Sequence, residues 1–455
     1  MKSKNIKKMI QLGICGIMAV ALLTATSPSG VEAAVKEQAS YRTVTEVYDW
    51  GAAVSKVIVD LGDNVTANAV DNETFKVYAK RVLAEGATTP KQAMQVKNKI
   101  SLGSEAQKDT DLEGYREVTK TYVSDATGKA VNKGRYVTIE LKVGPDIAIG
   151  SALNFDVNSF FNNWVKPEYT ITQTKAAGEV KGLIVDNNKG NVRPVVDKFN
   201  YAHKIFGRLS YGYASYEPKD AEKHPLIIWL HGMGEGGTDS PSIPISANKA
   251  DMFADDSLQS HFGGAYVLVP QARTYWMHGF KDFGDGTSIY EDSLKQLIDA
   301  YAAEHPNVDK SRIYIGGDSN GGYMTMLMIR DYPEYFAAAF PTCEGLADKL
   351  ISDADIESFK KTPIWFTAAK TDTTLPPKDY VVPTFNRLQT AGAENVHFSF
   401  FDNVVDQTGL YKKADGSAYE YPGHWSWIYV YNDKCVDTID GKTVKLMDWL
   451  AAQKR

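Results

Sequence analysis

Between residue 35 and about residue 178, β-branched and aromatic runs alternate with polar positions. Val57-Ile58-Val59-Asp60-Leu61, Thr74-Phe75-Lys76-Val77-Tyr78 and Tyr136 to Val143 have this character. A period of two places alternate side chains on opposite faces of a strand. Turn-forming clusters separate the runs at Asp63-Asn64, Asp71-Asn72, Asp125 to Gly128 and Gly144-Pro145-Asp146. Several short strands between turns predict an all-β, immunoglobulin-like sandwich over 35–178. Residues 179–200, with Asp186 to Asn191 at their centre, read as a loop or linker.

The pattern changes over 201–455. Pro225 to Leu230 and Ala265 to Val269 are continuous apolar runs. Ser288 to His305 has helical spacing, with Ile289, Leu294, Leu297, Ile298 and Tyr301 as its apolar positions. Arg312 to Ile315 reads as a strand, Gly321 to Arg330 as a helix, and Pro363 to Ala368 and Val396 to Phe401 as further strands. Wholly apolar strands alternating with helices predict a mostly parallel sheet with helices on both faces, the α/β-hydrolase arrangement. There is no internal repeat.

The chemistry follows from that frame. Gly317-Asp318-Ser319-Asn320-Gly321 lies between the strand Arg312 to Ile315 and the following helix. A G-x-S-x-G segment in that context forms a sharp turn with the serine at its tip. A serine hydroxyl needs a base, and the base needs an orienting acid. Two histidines follow Ser319. His397 alternates within a strand, whereas His424 sits in a loop ahead of the C-terminal helix and is the expected base. Asp372, just past the strand Pro363 to Ala368, is the expected acid, with Asp402 and Asp406 as rivals. The glycine-rich segment His231 to Gly237 follows an apolar strand. It is placed to stabilise an oxyanion through the N–H of Met233 or Gly234, with the N–H of Asn320 as second donor. His231 itself is expected to be structural. Trp276 is a candidate for the substrate cleft or, equally, for loop packing.

Composition narrows the picture. The formal net charge of −6 disfavours a nucleic-acid partner. The remaining histidines show no metal-ligand spacing, so neither a metal nor another cofactor is expected. Lys2, Lys4, Lys7 and Lys8 precede the apolar run Ile14 to Leu23, and Val31-Glu32-Ala33 offers a cleavage site. Residues 1–34 thus read as a signal peptide, which implies secretion without stable membrane insertion. Cys343 and Cys435 are expected as two unpaired thiols. A homo-oligomer is compatible with the chain but is not indicated by it.

Leu230 to Gly237, Ser319 to Thr325 and Gly423-His424-Trp425-Ser426-Trp427 resemble bacterial α/β-hydrolases of the prolyl oligopeptidase and polyhydroxybutyrate-depolymerase-like families. The order of the two halves is similar to a branch of thermostable carboxylesterases with an immunoglobulin-like N-terminal domain. The resemblance implies Ser319, Asp372 and His424 as the triad of a serine carboxylesterase. It also leaves open a serine peptidase, and a polysaccharide acetyl or feruloyl esterase. The substrate would be a small-molecule or polysaccharide-linked ester. Two departures bear on substrate preference: Asp318 stands where a small or apolar residue is expected, and Pro341 to Gly345 replaces a glycine-rich stretch. A reading from another class is a surface-binding protein with an inert hydrolase half.

Overall fold

The computed structural model describes residues 39–88, 112–238, 240–280 and 283–455. The expected signal peptide over 1–34 lies outside the described residues. Eleven strands build the N-terminal half: β1 (Ser40–Tyr48), β2 (Gly51–Thr66), β3 (Phe75–Val82), β4 (Glu113–Arg116), β5 (Val118–Ser124), β6 (Lys133–Leu141), β7 (Leu153–Asp156), β8 (Phe161–Trp164), β9 (Lys166–Gln173), β10 (Ile184–Val185) and β11 (Asn188–Val192). One sheet runs β11-β1-β2-β6-β5 and another β10-β9-β3-β4, while β7 and β8 form a separate hairpin. Val57, Val59, Val137 and Ile139 from the first sheet share a core with Phe75, Val77, Ala79 and Ile171 from the second. The two sheets therefore form a sandwich.

Two local readings need correction. Asp63-Asn64, expected as a turn, lies inside β2, which bends instead of ending. Its pairing with β6 shifts register between Asp60 and Val65, and Gly62 takes a φ of 80° there. The segment 179–200, expected as a loop or linker, supplies β10 and β11. These strands pair with β9 and, in parallel, with β1.

The second half contains β12 (Asn200–Phe206), β13 (Leu209–Tyr216), β14 (His224–Leu230), β15 (Tyr266–Gln271), β16 (Val308–Asp318), β17 (Ala338–Thr342), β18 (Ile364–Ala369) and β19 (Val396–Phe401). They form one sheet in the order β12-β13-β15-β14-β16-β17-β18-β19. The β12–β13 and β13–β15 pairs are antiparallel, and the pairs from β15 to β19 are parallel. Alternation explains why the central parallel strands carry apolar residues on both faces. Leu226, Ile228, Leu268, Ile313 and Ile315 enter the core on one face. Their neighbours Ile227, Trp229, Val267, Val269 and Tyr314 enter the core on the other. Helices cover both, so neither face can be polar.

The helix expected over 288–305 spans Glu291–Glu304. Ile289 precedes it and is 59 % exposed, so it is not part of the buried stripe. The helix after Ser319 runs Asn320–Asp331. Cys343 and Cys435 are free and buried. Among the described residues, no helix is long and apolar enough to cross a membrane.

Leu268 lies at the centre of β15 with no exposed surface. Leu268→Ala removes buried methyl groups from a sheet covered on both sides. A loss of about 2–5 kcal/mol is expected, read as a lower urea midpoint with the native far-UV spectrum retained. An unchanged midpoint would contradict this packing.

Candidate active site

Ser319 joins β16 to the helix Asn320–Asp331 with φ 54° and ψ −111°. A left-handed φ on a residue with a side chain is strained, and it persists where the surroundings hold it. The Ser319 N–H donates to Thr342 O at 3.0 Å, and Ser319 O accepts from the Tyr323 N–H at 2.9 Å. A Cβ on Gly317 or Gly321 would overlap Leu230 O at the end of β14. Only glycine at both positions lets the turn press against that strand.

The imidazole arrives from a short turn, Gly423–Trp425, after the last strand of the sheet. A Cβ on Gly423 would collide with the backbone of Thr371 and Asp372. That close approach brings base and acid together. His424 Nδ1 lies 2.8 Å from Asp372 Oδ2, and His424 Nε2 lies 2.9 Å from Ser319 Oγ. Asp372 Oδ1 accepts the N–H groups of Thr374 at 2.8 Å and Leu375 at 2.9 Å. Those two bonds fix the carboxylate and leave Oδ2 for the imidazole. Nδ1 then carries the proton, and Nε2 is free to accept one from the serine. All three side chains are buried.

The rival residues are engaged elsewhere. Asp402 pairs with Lys370 at 2.6 Å, and Asp406 accepts from Thr408 and the Gly409 N–H. His397 bonds Asp437 and Asn395. Among the described residues, no group of three or more His, Cys, Asp or Glu side chains is placed to hold a metal ion.

Family comparisons agree with the two halves. Residues 40–186 match the esterase immunoglobulin-like N-terminal domain, and residues 279–381 match the prolyl oligopeptidase family. A crystal structure of a thermostable esterase superposes with a TM-score of 0.70 at 24 % identity, covering 91 % of this chain and all of that one. The chain joins an immunoglobulin-like β-sandwich domain to a domain with the α/β-hydrolase fold. Poly(3-hydroxyalkanoate) depolymerase C of Paucimonas lemoignei is 43 % identical over 130 residues, 27 % of this chain and 28 % of the relative. Feruloyl esterase B of Neurospora crassa is 36 % identical over 127 residues, 27 % of this chain and 40 % of the relative. The match thus spans well under half of either curated relative.

The Ig-like domain reaches the hydrolase site through the β7–β8 hairpin. Met233–Glu235 forms a single 3-10 turn after Gly232. Met233 and Gly234 open this turn, and Asn320 opens its helix, so their N–H groups have no acceptor within the element. His231 orients the loop. Its Nε2 accepts the Ala272 N–H at 3.0 Å, which leaves the proton on Nδ1, 2.6 Å from Gly232 O. Burial pushes its pKa down to about 4, so the ring is neutral. A peptide carbonyl held on one side turns the next N–H, that of Met233, to the other. Above the loop, Asn162 Nδ2 donates to Glu235 Oε1 at 2.9 Å. Tyr275 OH donates to Ser159 O at 3.3 Å, and Trp164 Nε1 donates to Ser242 Oγ at 2.9 Å.

Trp276 does not line the cleft. It has no exposed surface and packs on His231, Tyr211 and Tyr290. Its Nε1–H donates to His231 O at 3.0 Å, and its backbone N–H donates to Asn320 Oδ1 at 2.6 Å. It braces the oxyanion loop and the nucleophile turn from behind. Of the tryptophans beside the base, Trp427 is buried edge-on against His424, and Trp425 stacks between Tyr421 and Trp427.

Asp318, the departure noted in sequence, shares the amide of Asn248 with Glu235. Asn248 Nδ2 donates to Asp318 Oδ2 at 2.9 Å and to Glu235 Oε2 at 3.1 Å. A Cβ on Gly232 would lie 2.6 Å from Asp318 Oδ2 and 2.9 Å from Glu235 Oε2, so glycine is required between them. Burial pushes the Glu235 pKa up to about 7, and burial beside Glu235 holds Asp318 well above the carboxylate range. This carboxyl pair connects the residue before the nucleophile to the oxyanion loop.

An unfolded glutamate titrates near 4.3. The folded chain therefore holds a proton at Glu235 that the unfolded chain loses between about pH 4.3 and about pH 7. Stability from this group is present at low pH and lost as pH rises through that window. Glu235→Gln does not titrate. Its urea midpoint should gain on the wild type between about pH 5 and about pH 8. A constant difference across that range would contradict the assignment.

Proposed function

We propose that the chain is a serine hydrolase that cleaves carboxylic esters through an acyl-enzyme. The observation that carries this reading is the chain of hydrogen bonds from Ser319 Oγ through His424 to Asp372. His424 Nε2 takes the hydroxyl proton as Oγ bonds to the acyl carbon. The carbonyl oxygen becomes an oxyanion, with Met233, Gly234 and Asn320 as the candidate N–H donors. Collapse breaks the bond to the leaving alcohol, which receives the proton from His424. Water then adds by the same route, and Ser319 leaves with its proton restored. Asp372 holds the imidazole through Nδ1 and stabilises the imidazolium. No step requires a cofactor.

The relatives named a feruloyl esterase and a depolymerase favour ester over amide substrates. The prolyl oligopeptidase match spans Ser319 and Asp372 and favours the second reading, a peptidase. Amides demand more of the acid step, because a poor leaving amine must be protonated. The basic residues and apolar run within 1–34 support export, with the ester met outside the cell.

Ser319→Ala should lower kcat on p-nitrophenyl acetate by about 10³-fold or more without altering the far-UV spectrum. The wild type should turn over that ester far faster than a panel of aminoacyl p-nitroanilides. Activity retained by Ser319→Ala would remove the serine from the mechanism. Faster cleavage of the anilides would make the chain a peptidase.

A further inference from the structure

A cavity of about 720 Å³ lies between the Ig-like and hydrolase domains. His424 and Thr371, beside Asp372, line one side, and Phe155 and Asn162 from the β7–β8 hairpin line another. Ser319 is not in the wall, but its hydroxyl is 2.9 Å from Nε2 of His424, which is a wall residue. His424 must reach the leaving oxygen in the acid step, so a cavity lined by this ring is on the leaving-alcohol side.

Arg81 also lines this cavity. It lies on β3, where Phe75, Val77 and Ala79 point inward at alternate positions. Arg81 takes the next inward position, and its side chain is 5 % exposed. A guanidinium in that register is costly unless it is fully paired. Nε donates to Ser151 O at 3.0 Å, and Nη2 donates to Leu153 O at 2.8 Å. Nη1 has no partner. The acceptors are backbone carbonyls, so the charge is solvated by dipoles and not neutralised by a carboxylate. Arg116, also inward-facing, differs: its terminal nitrogens reach Tyr169 OH, Val54 O and Lys142 O. Burial lowers the Arg81 pKa to about 10, which leaves it charged at neutral pH.

Arg81 is the lone arginine or lysine among the described residues of the wall. Glu420 is the carboxylate there, and Lys413 already pairs with it. Asn154 adds a second unpartnered polar atom, Oδ1. Trp50, Phe155, Tyr421 and Trp425 give the wall flat apolar surface.

We propose that this cavity binds the leaving-alcohol part of an ester substrate, and that Arg81 recognises a carboxylate on that alcohol. With Nε and Nη2 donating to carbonyls, Nη1 is the donor left for a charge-assisted bond to a carboxylate. One cation suits a single charge, whereas a phosphate would call for more. The substrate class is then an ester of a hydroxy acid. This rests on the esterase reading, and Arg81 is a specificity residue within it.

The matched probes are 4-acetoxybenzoate and methyl 4-acetoxybenzoate, which share the acyl group and differ in the charge on the alcohol. Arg81→Met should raise the KM for 4-acetoxybenzoate about tenfold more than the KM for its methyl ester, the scale of one charge-assisted bond. Arg81→Lys should recover part of that loss. Equal effects on the two esters would overturn the assignment. If Arg81→Met fails to fold, wild-type binding decides. Calorimetry on the Ser319→Ala protein should show 4-hydroxybenzoate binding more tightly than methyl 4-hydroxybenzoate, and equal binding would overturn the subsite. Selective binding without wild-type turnover of either ester would overturn the esterase reading and leave the carboxylate site standing.

Discussion

Two contacts between chain segments leave no room for a Cβ, and the reactive geometry depends on them. Gly317 and Gly321 let the nucleophile turn press on the end of β14, and Gly423 lets the base turn press on the acid loop. The strain at Ser319, with φ at 54°, is held by backbone bonds to Thr342 and Tyr323. The parallel sheet makes this possible. Strands β14, β16 and β18 end at the same edge, and each is followed by a loop that brings one part of the site. Moving the nucleophile turn, the base turn or the acid loop would lengthen a hydrogen bond now at 2.8 or 2.9 Å.

A second layer lies behind the reacting groups. Trp276, His231 and the Asp318–Glu235 pair hold the oxyanion loop from below, and Asn162 of the Ig-like domain holds it from above. Burial keeps His231 neutral and raises both acids, so the layer behind the site favours uncharged forms where full charges would be costly. The Ig-like domain is thus part of the wall around the chemistry, through the β7–β8 hairpin and through Arg81.

Much of this was legible in the chain because the signals were local. The apolar strands, the turn at Ser319 and the helix after it occupy contiguous residues with strong periodicity. Asp372 and His424 were readable because each follows a strand. Trp276 was not, because an aromatic in a loop looks alike whether it lines a cleft or plugs one. β17 escaped notice because Ala338, Ala339 and Pro341 disfavour a strand, and the segment is held by parallel pairing on both sides. Ile289 fitted a helical period but sits ahead of the first turn. Asn162 and Asn248 gave no local sign, since each acts across a long separation. For Arg81 a clue existed: a cation at an inward position of an alternating strand.

The central claim is that His424 makes Ser319 nucleophilic. Reaction with a fluorophosphonate, followed by peptide mass spectrometry, tests it most directly. The account predicts a single adduct on Ser319 that forms at least about 10²-fold more slowly in His424→Ala. An adduct on another residue, or labelling of Ser319 at the same rate without the imidazole, would contradict it.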